Sequence, residues 1–285
     1  MRKRMISPLP PLAAIWFLAL LCPLAIAAET GARDVGDSTS FRPYLSVGAA
    51  VINTENIRFM DGPDSANAAL YGGENRFDAG TIEDSPQARF AAGMRFSSAF
   101  RLQLEYGLTR DLEYSGNTNY DNSGEHQPST AMLDTRQVLV AAFRDFPPWE
   151  YAPDRVARPF LGVGAGFTKY RLGNYRQRFP DPPNPDGPLR RGPGGEIPYT
   201  ALPPGSDRNF TYMLTAGIAI PVGEYAELDL SYRYADSGEI HTNIGEIEIV
   251  RYRRNGSRRE IPVTINETSA DFRTHSLSLS LRFEW

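Results

Sequence analysis

The stretch D-F-R-T-H-S-L-S-L-S-L-R-F-E-W, residues 271 to 285, alternates strictly from His275 onward. Side chains along a β-strand point to opposite faces in turn. Leu277, Leu279, Leu281, Phe283 and Trp285 therefore share one face, and Ser276, Ser278, Ser280, Arg282 and Glu284 share the other. Two environments suit such a strand. In a soluble sandwich the apolar face enters a core. In a membrane barrel it meets lipid, the polar face lines the lumen, and a final aromatic sits at the interface. The terminal Trp285 favours the membrane.

The other end of the chain agrees. Arg2, Lys3 and Arg4 precede an apolar run from Leu12 to Ala27, and Ala25-Ile26-Ala27 offers a small-x-small cleavage site. A secretory signal peptide is expected over residues 1–27, because the run is short for a spanning helix of ~20 residues. A flexible segment over 28–41 is expected to follow. Cys22 is the sole cysteine, and Leu21 and Pro23 beside it do not suit lipid attachment. Past residue 27 the chain has neither disulfide nor thiolate metal site to rely on. Without Arg2, Lys3 and Arg4 there are 27 basic residues against 34 acidic ones, a net charge of about −7. No nucleic-acid partner is expected, since that needs a basic face. No later run of 18 apolar residues occurs, so membrane helices are excluded but alternating strands are not.

Further alternating segments follow in order. Leu45, Val47, Ala49 and Val51 share a face, as do Ala88, Phe90, Ala92, Met94 and Phe96. Phe100, Leu102, Leu104, Tyr106 and Leu108 oppose Arg101, Gln103, Glu105 and Gly107. In Leu133 to Phe146 the outer face is assigned to Leu139, Ala141 and Phe143, although Val138, Val140 and Ala142 are apolar too. Leu161, Val163, Ala165 and Phe167 oppose three glycines, which suits a crowded lumen or a curved sheet. Phe210 to Ile220 and Ala226 to Ala235 complete the set of eight. Between them, residues 53–86, 110–132, 171–208 and 236–270 read as long polar connections. Nine prolines from Pro180 to Pro204 exclude a central strand there. Within 236–270, two charged segments meet at Asn255-Gly256, a hairpin turn signal. They either project above the membrane or add two barrel strands, and few apolar residues on either favour projection.

Arg42-Pro-Tyr-Leu-Ser-Val-Gly-Ala-Ala-Val repeats as Arg158-Pro-Phe-Leu-Gly-Val-Gly-Ala-Gly-Phe, with six of ten positions identical. Long and short connections alternate, as in an up-and-down outer-membrane barrel, and closure removes the sheet edges that lipid cannot satisfy. These strand starts, the Tyr-Arg-Tyr at Tyr232 to Tyr234 and the final L-S-L-S-L-R-F-E-W resemble the opacity/OmpA-like family of small outer-membrane β-barrel proteins. The resemblance implies an eight-stranded antiparallel transmembrane barrel over residues 42–285, in the outer membrane of a Gram-negative bacterium. It also implies that Leu279, Leu281, Phe283 and Trp285 form the C-terminal signal read by the barrel-assembly machinery.

The face opposite the lipid carries charge at Arg89, Arg95, Arg101, Glu105, Glu227, Asp229, Arg233, Arg282 and Glu284. A lumen of eight strands has room for little beyond side chains. Paired charges that fill it are the plainer expectation, and a gate or narrow ion path is the sharper one. His126, His241 and His275 are scattered and place no serine and acid together, so neither catalysis nor a metal or other cofactor is expected. The expected partners are outer-membrane lipid, the assembly machinery and an extracellular ligand or host surface. The expected role is structural or adhesive, with a narrow channel for small solutes as the alternative.

Overall fold

The computed structural model of the protein describes residues 41–61, 78–96, 99–118, 127–153, 155–180, 186–187, 189–265 and 267–285. The expected signal peptide, all but the end of the expected flexible segment, and His126 lie outside them. Eight strands form the barrel: β1 (Arg42–Thr54), β2 (Ser85–Arg95), β3 (Phe100–Asn117), β4 (Pro128–Asp145), β5 (Arg155–Arg178), β6 (Gly205–Pro221), β7 (Ala226–His241) and β8 (Thr268–Glu284). Each pairs antiparallel with the next. β8 pairs with β1, with Val47 opposite Leu281, so the ring closes.

Closure decides between the two readings of residues 271–285. In a sandwich the apolar stripe would be buried. Here Leu45, Leu104, Val163, Leu214 and Leu277 lie on the outer face, each more than half exposed. Aromatics bound this band. Phe41, Phe100, Trp149, Tyr225 and Trp285 lie near one rim, and Phe167, Phe210, Tyr212 and Tyr232 near the other. Such girdles mark the two interfaces of a membrane barrel.

The strands run further than their alternation suggests. A tilted strand spans the membrane in about 9–11 residues, whereas β3 has 18 and β5 has 24. The upper parts of β3, β4, β5 and β7 occupy much of what reads as long polar connections. Bulges explain the difference. Register shifts occur at Thr109/Leu112 in β3, opposite Thr130/Met132 in β5, and at Asp236/Glu239 in β7. Asp111, Asn174 and Gly238 sit there with φ of 56°, 53° and 69°, values that Asp, Asn and Gly tolerate best. An extra residue reverses which parity faces inward. Leu112, Tyr114, Tyr175 and Ile240 consequently turn into the barrel.

A second correction concerns β4. Leu139, Ala141 and Phe143 face the lumen and are buried, while Val138 and Val140 are exposed to lipid. Both faces of this strand are apolar, so alternation alone leaves the choice open. Its neighbour settles it: Gly162 lies opposite Phe143 and Gly166 opposite Leu139. A Cβ on Gly162 would come within 2.5 Å of the Phe143 ring. The glycines of β5 make room for large apolar side chains inside.

The charged hairpin, Gly245–Tyr252 paired with Arg258–Ile265, projects and does not enter the ring. Its first strand pairs with Tyr199–Ala201, which in turn pairs with Arg176–Arg178 at the top of β5. The proline-rich connection thus contributes one short strand to an extracellular extension of the sheet.

Candidate functional site

The barrel interior is the most elaborated part of the molecule, and it is layered. At the end where β8 finishes, charges fill the lumen. Arg95 donates to Glu284 Oε1 at 2.7 Å and to Asp145 Oδ2 at 2.5 Å. Arg101 donates from Nη2 and Nε to Asp145 Oδ1 at 2.8 and 3.0 Å. Arg282 donates to Glu227 and to Asp229 Oδ1, the latter at 3.1 Å. Arg158 reaches Glu227 Oε1 at 3.2 Å. Arg95, Arg101, Arg158 and Arg282 thus meet Asp145, Glu227, Asp229 and Glu284, and the formal charges of the layer cancel. Aromatic faces complete the packing. The Arg101 guanidinium lies 4.8 and 5.1 Å from the Phe143 and Phe160 centroids, and that of Arg282 lies 5.5 Å from Tyr44. Tyr44 and Phe160 occupy equivalent positions of the internal repeat, so each copy sets an aromatic against a buried arginine.

The middle layer is smaller and carries net positive charge. Arg233 forks onto Glu105, with Nη2 to Oε2 at 2.7 Å. Arg89 is buried, and among the described residues its hydrogen bonds go to neutral acceptors, Gln87 Oε1 at 2.6 Å and Ser276 Oγ at 2.7 Å. Two cavities of about 40 and 20 Å³ adjoin Arg89 and Arg233, room for a few waters at most. Above them Gln137, Thr168, Thr211 and Ser237 are linked by hydroxyl and amide hydrogen bonds.

The top layer is built around an apolar cluster, with Ser129 and Gln177 buried beside it. Ile57 and Phe59 follow β1 into the barrel mouth, where Ile57 exchanges backbone hydrogen bonds with Gly80. They pack among Leu112, Tyr114, Leu133 and Tyr175. Phe59 lies 5.0 Å from Tyr114 and 4.9 Å from Tyr175, centroid to centroid.

The structure brings all nine inward charges named from the sequence to the lumen. It separates them into two groups: Arg89, Glu105 and Arg233 in the middle, and the remaining six at the lower end. Sequence reasoning misses Asp145, whose side chain is fully enclosed, because it shares the parity of Leu139, Ala141 and Phe143, the face expected to meet lipid. It also misses Arg158, which the repeat could have marked. Leu279, Leu281, Phe283 and Trp285 all lie on the outer side, beside β1 and β7. His275 lies on the outer rim, where Tyr232 Oη is 2.6 Å from its Nδ1 and Glu55 Oε1 is 3.2 Å from its Nε2. No serine belongs to that chain of contacts.

Among curated proteins no relative matches the sequence. Several solved outer-membrane proteins are similar to the chain at low identity. The Neisserial surface protein NspA is 14% identical, covering 85% of this chain and 97% of its own, with a TM-score of 0.38. OprG of Pseudomonas aeruginosa is 12% identical over 88% of this chain and 99% of its own, with a TM-score of 0.44. AlkL is 12% identical over 91% and 97%, with a TM-score of 0.42. The family model described as the outer membrane protein beta-barrel domain matches residues 18–283. The chain belongs to that family and is an integral β-barrel protein of the bacterial outer membrane.

Proposed function

We propose that this barrel is a closed anchor and that its work, structural or adhesive, is done by the extracellular extension it carries. The observation that carries the reading is double closure of the lumen. A neutral ion layer fills one end and an apolar plug fills the other. An open aqueous path needs neither, and a buried arginine requires the counter-charge that Asp145, Glu227, Asp229 and Glu284 supply here. The upper strands, the short strand Tyr199–Ala201 and the projecting hairpin give a broad polar surface above the membrane, suited to a ligand or host surface. The reading assigns no catalytic step and needs no cofactor.

A narrow channel is the second reading, and one observation favours it. Among the described residues Arg89 has no carboxylate partner, and it borders both cavities, so a path through the middle layer would prefer anions. Swelling of protein-loaded liposomes in small sugars and amino acids separates the two. The closed anchor predicts swelling no faster than in protein-free liposomes, and rapid uptake overturns it.

A further inference from the structure

The outer face carries cations as well as the inner one. Arg136 of β4 is the cross-strand partner of Lys169 in β5, and Lys169 is also the partner of Arg208 in β6. All three are exposed and share the outward parity of the lipid-facing residues. Their Cβ atoms are therefore about 5 Å apart across each pair, where like charges destabilise a sheet. Among the described residues none of the three has a carboxylate within ion-pair distance. Of the nearby acids, Asp134 accepts the Asp111 N–H at 3.1 Å, and Asp207 accepts the backbone N–H of Arg208 at 2.7 Å and lies 3.5 Å from His241 Nε2, outside ion-pair distance of the Arg208 guanidinium. Asp236 accepts from Tyr212 Oη and Arg273. Arg171, two residues above Lys169, lies opposite Asp134.

The position of this ladder selects its occupant. Directly below it on the same strands and face lie Val138 and Val140, Val163 and Phe167, and Phe210, Tyr212 and Leu214, all exposed to lipid. The Arg208 guanidinium lies 4.9 Å from the Phe167 centroid, and Phe167 packs edge-on to Phe210 at 6.2 Å. The cations thus stand on the upper aromatic girdle, at headgroup height. We infer that Arg136, Lys169 and Arg208 form a binding site for the phosphate of an anionic outer-leaflet lipid, whose acyl chains run down the apolar face of β4, β5 and β6. A phosphate here offsets the repulsion within the ladder. Arginine contributes a planar fork of donors and Lys169 a compact charge.

Native mass spectrometry of the refolded protein with synthetic diphosphorylated lipid A tests the site, with phosphate-free lipid A and inorganic pyrophosphate as the other probes. The wild-type protein retains the diphosphorylated lipid in preference to the phosphate-free one. Each of Arg136→Gln, Lys169→Gln and Arg208→Gln weakens retention about fivefold, since one cation near an anionic surface is worth about 1 kcal/mol. Arg273→Gln, whose side chain is paired with Asp236 and Asp271, leaves retention unchanged. Equal retention of the phosphate-free lipid, or undiminished retention by the three variants, overturns the inference. Displacement of the lipid by equimolar pyrophosphate would instead make this a site for soluble anions. Should the variants not fold, Lys169 supplies a second measurement in the wild-type protein. It is the only lysine after Lys3, and bound diphosphorylated lipid A protects it from acetylation by an amine-reactive ester. Acetylation at the same rate with and without that lipid overturns the inference equally.

Discussion

Asp145 and Arg101 are joined twice, Oδ1 to Nη2 at 2.8 Å and Oδ2 to Nε at 2.9 Å, and both side chains are almost wholly buried. The same carboxylate binds Arg95 from β2, so one acid ties three consecutive strands together at the lower end of the lumen. An isolated guanidinium at this depth would be costly. Paired and hydrogen-bonded, the group becomes part of the packing that closes the barrel.

Asp145→Asn is expected to destabilise the barrel strongly, because it leaves Arg95 and Arg101 short of an anion. Losing one partner of a buried pair costs about 3–5 kcal/mol. Denaturant unfolding of the protein in lipid vesicles reads the change. The double variant Asp145→Asn/Arg101→Met recovers part of the loss by removing a stranded charge. An unchanged midpoint for Asp145→Asn would place the carboxylate in contact with water.

The orientation of β4 is checked by Gly162. A Cβ there meets the Phe143 ring at 2.5 Å and Thr215 Cγ2 at 2.8 Å. Gly162→Val should cost about 1–3 kcal/mol through overpacking, and Phe143→Leu in the same protein should return some of it. If Phe143 faced lipid, the two substitutions would show no coupling in the same unfolding assay.

Depth in the membrane is read by arginine substitutions on β8. Leu279 lies midway along the lipid-facing row and His275 at its upper end. Leu279→Arg should cost roughly 2–4 kcal/mol and His275→Arg under about 1 kcal/mol, the gradient that a bilayer imposes on a barrel face. Equal costs at both positions would remove the assigned membrane band.

We propose that the outward row Leu279, Leu281, Phe283 and Trp285 is read during assembly. Phe283→Ala and Trp285→Ala are expected to refold in detergent with the wild-type heat-modifiable mobility, yet to accumulate poorly in the outer membrane of cells. Equal impairment in both settings would mean that these side chains contribute stability and nothing more.

The membrane-spanning part was legible because lipid imposes a simple rule on its outer face. Residues 275–285 and 100–108 obey period two without exception, and the structure pairs them as that rule requires. The rule fails at two kinds of place. At Asp111, Asn174 and Gly238 a bulge reverses the parity, so the pattern of β3 and β7 stops near Leu108 and Ala235 although both strands continue. At β4 the lumen itself is apolar around Phe143, and alternation has nothing to contrast. Partners are harder still. Parity placed Arg95, Arg101 and Arg282 inside, but only the register of the closed ring brings Asp145 to Arg95 across β3. Nothing local in the sequence marks Ile57 and Phe59 as the apolar plug, because their packing depends on chain folding back into the barrel mouth.

The central claim is that the lumen is closed, and single-channel recording tests it most directly. The protein, refolded and inserted into a planar bilayer, is predicted to leave the membrane current at its baseline, while protease digestion confirms insertion. Steady, discrete openings would contradict the account. An anion preference abolished by Arg89→Gln would then identify the middle layer as the conducting path.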